Sequence, residues 1–158
     1  MSDAANSRVA VQFPATRRGR PSPQRLRGWA EAALAEAGSD GEVLLRIVDA
    51  DEGAELNRMW RDRSGATNVL SFPLPAPEGV PIDTLGDIVI CAPVVEREAD
   101  EQCKPRDAHW AHMVVHGLLH LLGHDHQQPD EANRMERLEI ELLGRLGYRD
   151  PYEDQTRT

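Results

Sequence analysis

The chain reads as an α+β protein: a single domain in which a small mixed β-sheet of about four strands packs with five or six helices, a histidine-bearing helix at its centre. Three observations predict this. Strand and helix patterns interleave over the first hundred residues, and helical spacing then dominates, as expected when layers of both kinds share one core. A length of 158 residues is one domain's worth of polypeptide, large enough for one sizeable core. Residues 106–122 are apolar almost all round a helix, which calls for an interior position.

The first element is a strand, because "VAVQF" (9–13) alternates as a half-buried strand does. Ser22-Pro23 then opens a helix, with Ser as the N-cap and Pro at the first position. Leu26, Trp29, Ala30, Ala33, Leu34 and Ala37 follow at helical spacing, and Gly38 ends the run. "EVLLRIV" (42–48) is a buried strand. Over 51–63, Leu56, Met59 and Trp60 share one helical face, and Gly65 terminates it. "NVLSFPL" (68–74) and "GDIVICA" (86–92) are two further strands, joined by a proline-rich loop too short and rigid to link domains. Helices follow at 93–101 and 106–122. Pro129 opens the last helix, which runs to Gly147 with Met135, Leu138, Leu142 and Leu146 as its apolar stripe. Glu141 and Arg145 add a favourable i,i+4 pair. The domain is expected to cover 1–158, its tail (150–158) frayed.

Composition excludes several classes. Hydrophobic residues make up 40% and charged residues 28%, the profile of an ordinary soluble globular protein. No apolar run approaches the ~20 residues of a spanning helix. The N-terminus has no basic segment followed by an apolar one, so a cytoplasmic protein without a secretory leader is expected. Cys91 and Cys103 form neither a CxxC pair nor a disulfide framework and read as reduced thiols. The net charge of −9 argues against general nucleic-acid affinity, which phosphate neutralisation drives. The charge is uneven, however: residues 1–63 carry ten Arg against ten Asp or Glu, and six arginines but no carboxylate lie between Ala4 and Ala30. A local basic patch and an exposed arginine-rich loop around "RRGRP" both fit that stretch.

All six histidines fall within residues 109–126. At about 3.6 residues per turn, His112, His116 and His120 stack along one helical face, with His109 close to the same line. A tetrahedral zinc ion with Zn–N near ~2.0 Å needs donor nitrogens only about 3.3 Å apart. Histidines one turn apart can meet that; His112 and His120, about 12 Å apart along the axis, cannot easily do so. One adjacent pair is therefore selected, and the third ligand must come from beyond the helix. Gly123 can take the left-handed conformation that turns the chain back, so that His126 reaches the metal held by His116 and His120.

The resulting H-x3-H-x2-G-x2-H spacing is that of metzincin proteases. Where those enzymes carry their general-base glutamate, this chain has Gly117. The ligand scaffold is zincin-like, and peptide hydrolysis is disfavoured.

"HGLLHLLGHDH" (116–126) closely resembles the H-G-x-L-H-L-x-G-x-D-H signature of the bacterial YbeY family, single-strand-specific endoribonucleases of ribosomal RNA maturation. "LNRMWRDRSGATNVLSFP" (56–73) is similar to that family's L-N-x-x-[YW]-R…T-[DN]-V-L-S-F-P block, "LGDIVI" (85–90) to its L-G-D-I segment, and the late helix with Met135 and Glu139 also fits. The first forty residues carry no such signal. The resemblance implies a zinc-dependent endoribonuclease, one Zn2+ per chain on His116, His120 and His126. Its implied substrate is single-stranded RNA of the ribosome (16S rRNA 3′ end processing and ribosome quality control), and its partner the small ribosomal subunit. It also implies Arg61 as the arginine that faces substrate. Position 124, often tyrosine in that family, is His124 here and adds a competing ligand.

An open fourth position on zinc suits water activation or polarisation of a phosphoryl oxygen. Arg61 would clamp phosphate with planar, bidentate donors. Asp87, opening a strand, reads as a turn or cap residue. His112 is a buried helix histidine, a partner of a ligand or a substrate contact, and Asp125 can orient His126. The rival readings are a zinc peptidase or amidase, which lacks its glutamate, and a zinc-stapled, non-catalytic ribosome-binding module, which would use four protein ligands.

Overall fold

Alternating β-branched and aliphatic residues build a four-stranded mixed sheet: β1 (Val9–Gln12), β2 (Glu42–Val48), β3 (Val69–Pro73) and β4 (Thr84–Cys91), in the order β1-β2-β4-β3. β1, β2 and β4 run parallel, and β3 pairs antiparallel with β4. Parallel neighbours need a crossover, supplied between β1 and β2 by α1 (Pro23–Glu36). That helix starts as its sequence prescribes, the Ser22 side chain accepting from Arg25 N at 3.2 Å with Pro23 in the first turn. α2 (Ala50–Arg61) and then β3 intervene before β4. The computed structural model describes residues 8–39, 41–61, 67–73, 84–124 and 128–152, without the side chains of Trp60, Arg61 and Thr84.

Both faces of the sheet are covered. Ile88 and Ile90 of β4 point into the main core with Val43, Leu45 and Ile47 of β2. Val89 and Cys91 point the other way, against Val48, Leu70 and Val94. This two-sided burial is why the inner strands read as near-continuous apolar runs.

β4 differs from the sequence pattern at both ends. It begins at Thr84, and a register shift at Glu42/Val43 leaves Leu85 unpaired between Thr84 and Gly86. The shift hides the strand's first residues from a period-two reading. Asp87 consequently lies inside β4, opposite Leu44 and Phe72, rather than opening the strand as a turn or cap residue. Ala92 already belongs to α3 (Ala92–Glu101), whose second residue is Pro93.

The remaining helices are α4 (Arg106–Leu121) and α5 (Pro129–Arg145), making five among the described residues. Trp110, Ala111, Val114, Val115, Leu118 and Leu119 of α4 are all at most 1% exposed, so the helix occupies the centre of the core with α1, α3, α5, β3 and β4 around it. Each such Val or Leu contributes about 1.5–3 kcal/mol by leaving water. The helix is thereby fixed in place. At Gly117 it approaches the sheet closely: a Cβ there would stand 2.8 Å from Ile88 Cγ2 and 3.1 Å from Val69 Cγ2. Ser71 of β3 donates its hydroxyl to the Gly117 carbonyl at 3.0 Å. No helix among the described residues is long and apolar enough to cross a membrane.

Candidate metal centre

The spacing of α4 sets out the site. His109 and His112 are buried, and His116 and His120, one and two turns further, are partly exposed. The Nε2 atoms of His116 and His120 lie 3.2 Å apart, the separation two imidazoles require on one tetrahedral ion, about 3.3 Å. The helix then ends at the glycine the sequence marks. Gly123 takes φ +98°, its N–H bonds to the His120 carbonyl at 3.1 Å, and the His124 N–H reaches the Leu119 carbonyl at 3.0 Å. This is the glycine-closed helix end that lets the following residues fold back. Asp125 and His126, together with the side chain of Arg61, lie outside the described residues.

Behind the pair stands Glu139 of α5, 1% exposed. Its Oε2 accepts from His112 Nε2 at 2.6 Å and from His116 Nδ1 at 3.1 Å. Its Oε1 accepts from the Tyr152 hydroxyl at 2.7 Å. Burial alone would push this carboxyl up. The hydrogen bonds from His112 and His116, with the Coulombic pull of His112 and the Tyr152 hydroxyl, outweigh that and hold it down at about 2. A carboxylate bonded to Nδ1 fixes the His116 tautomer and turns Nε2 toward His120, the arrangement usual behind metal-bound histidines. His112, His116 and Glu139 also form a group that could itself hold a metal ion, their ligand atoms lying within 4.8 Å of one another. The two arrangements compete for opposite nitrogens of His116: Nδ1 serves the carboxylate, Nε2 the neighbouring histidine.

Sequence periodicity did not single out Glu139 as part of this site. The signal was there, since a carboxylate follows Met135 by four residues and precedes Leu142 and Leu143, on a face buried in the structure. Tyr152 carried no signal at all. It lies in the tail expected to fray, yet its N–H bonds to Asp150 Oδ1 at 2.8 Å and its ring stands edge-on to His112, centroids 5.5 Å apart. Burial, then the bond to Glu139, pushes its hydroxyl up.

His109 belongs to a different network. Its Nε2 meets Glu98 Oε1 at 3.0 Å, and Asn68 Nδ2 donates to the same carboxylate, so α3, α4 and the residue leading into β3 are tied together. Burial lowers the His109 pKa despite Glu98. Cys91 is buried and Cys103 exposed, both as free thiols.

A small cavity lined by His116, Ala132, Met135, Glu136, Glu139 and Tyr152 opens beside the centre. A larger one, lined among others by Cys103, Lys104, His109, His112, Tyr148 and Pro151, reaches the buried histidines from the other end of α4. His116 lines the smaller cavity and not the larger, and His120 lines neither.

A family model described as endoribonuclease YbeY matches residues 17–147. The endoribonuclease YbeY of Cellvibrio japonicus is 58% identical over 135 residues, 85% of this chain and 76% of that protein. That of Methylococcus capsulatus is 58% identical over 134 residues, 85% of this chain and 88% of its own length. The solution structure of TM1509 from Thermotoga maritima superposes with a TM-score of 0.58 at 26% identity, covering 92% of this chain and 99% of that one.

Proposed function

Since the chain belongs to the endoribonuclease YbeY family, we propose that it is a zinc-dependent endoribonuclease cutting single-stranded RNA, acting in the cytoplasm with the small ribosomal subunit. Processing of the 16S rRNA 3′ end and ribosome quality control are the tasks this reading assigns it. The observation that carries it is the 3.2 Å separation of His116 Nε2 and His120 Nε2, with His116 Nδ1 held by Glu139. Two imidazoles so placed, one backed by a buried carboxylate, fit a zinc ion. His126 is the third ligand this reading assigns, from its place in the H-x3-H-x2-G-x2-H spacing.

When bound, the ion supplies Lewis acidity toward a phosphoryl oxygen and makes a nearby water more acidic. The protein's own residues do the rest. Glu139 keeps His116 in one tautomer, and the buried α4 keeps both donors at fixed separation. Arg61 binds the scissile phosphate through paired N–H donors. A peptidase or amidase reading is disfavoured because position 117 packs against Ile88 and Val69, leaving a glutamate there no room. A zinc staple is disfavoured because neither free cysteine belongs to the His/His/Glu group.

The test is metal analysis of purified protein, followed by incubation with matched single-stranded and duplex RNA before and after chelation. One zinc per chain and chelator-sensitive cleavage of the single strand are expected. Stoichiometric zinc with no cleavage of either RNA would leave the non-catalytic staple in its place.

A further inference from the structure

The chain after α5 is tied down by specific bonds. Gly147 turns it with φ +93°, and Tyr148 N reaches back to the Leu143 carbonyl at 2.8 Å. Lys104, the chain's one lysine, donates from Nζ to the Pro151 carbonyl at 2.8 Å. The Asp150 carboxylate then holds the Tyr152 N–H. These contacts deliver the Tyr152 hydroxyl to Glu139 Oε1 at 2.7 Å, the carboxylate oxygen that neither histidine uses most closely. Tyr152 lies beyond residues 17–147, where the family model matches.

We propose that Tyr152 is a positioning residue for the metal centre: by occupying Glu139 Oε1 it keeps Oε2 aligned on His116 Nδ1, and so tightens the protein's hold on the metal. The inference rests on the reading that His116 binds the ion through Nε2. A buried carboxylate with one oxygen unsatisfied turns to find a donor or admits water. Either response loosens the bond that orients the His116 ring. Outer partners of metal-bound histidines typically contribute ten- to a hundredfold in affinity.

Competitive zinc titration of the full chain tests this with four proteins: the parent, Tyr152→Phe, Glu139→Gln and the double variant. Because Tyr152 is 45% exposed, loss of its hydroxyl leaves the packing in place, and circular dichroism verifies the fold of each. Tyr152→Phe is expected to bind zinc about tenfold more weakly. In the Glu139→Gln background the same change should have no further effect, because Tyr152 acts through that carboxylate. A merely structural tyrosine would weaken both backgrounds equally, and that result would overturn the proposal. So would parent-like affinity in Tyr152→Phe. His116→Ala separates the two levels: if it too binds zinc like the parent, the ligand assignment fails rather than the role of Tyr152.

Discussion

His120 and His112 sit on the same face of one helix, two turns apart, yet their chemistry differs. His120 offers Nε2 to its neighbour, whereas His112 gives Nε2 to Glu139. His120→Ala should therefore abolish stoichiometric zinc while His112→Ala retains most of it, as elemental analysis of dialysed protein will report. The reverse order would favour the His112, His116, Glu139 group instead. For Arg61, replacement by Ala should leave zinc content and melting temperature nearly unchanged while cleavage of single-stranded RNA collapses. Lysine should restore only part, because an ammonium cannot reproduce bidentate donation. An Arg61→Ala protein with parent rates would remove the clamp. The spacing made the His116–His120 pair legible because helix geometry is local. It left Glu139 obscure because its contacts span 23 and 27 residues, which no local period encodes, and because a lone carboxylate on an apolar stripe reads as an interruption.

At the scale of elements, α4 shows how closely packing and chemistry are joined. Gly117 lets the helix lie against β3 and β4, and its neighbours include Ile88 Cγ2, a branch fixed on Cβ that cannot swing away. Gly117→Ala gains about 1 kcal/mol of helix propensity, but overpacking typically costs about 1–3 kcal/mol. A net loss of stability is expected, visible as a melting temperature lower by about 2–4 °C for each kcal/mol in a chain of this size. A rise would show that the sheet yields at no cost. Helices α1, α4 and α5 were legible from their spacing and their terminating glycines, since Gly38, Gly123 and Gly147 all adopt positive φ; Gly65, expected to end α2, lies outside the described residues. The start of β4 was not, because the register shift beside Leu85 interrupts the alternation by which strands are recognised.

At the scale of the whole molecule, two buried titratable groups among the described residues, His109 and Glu139, contribute to the response to acid. The His109 pKa lies below its ordinary 6.5, so the unfolded chain binds that proton more readily, and stability falls as pH drops below about 6.5. The Glu139 pKa is depressed from 4.5 to about 2. Its contribution is complete above about 4.5 and is lost as pH falls toward 2, on the order of 3 kcal/mol at most. Urea unfolding of metal-free protein between pH 7 and pH 3 should show both losses. His109→Gln should remove the upper one, and Glu139→Gln the lower. A flat profile would contradict both assignments. The order of strands and helices was readable from the chain, whereas the sheet order β1-β2-β4-β3 was not, since pairing partners leave no mark in a single strand's pattern.

The burial of α4 bears on what metal binding does to heat capacity. The apolar sides of that helix are withdrawn from water by packing against α1, α3, α5, β3 and β4, contacts in which an ion takes no part, and Glu139 holds His116 through the protein's own hydrogen bond. Little hydrocarbon surface is left to remove when zinc arrives, and removal of such surface is what makes a binding heat capacity negative. Calorimetric titration at several temperatures should therefore give an enthalpy almost independent of temperature. The chelated protein should keep its far-ultraviolet circular dichroism, unlike zinc fingers, which unfold without their ion.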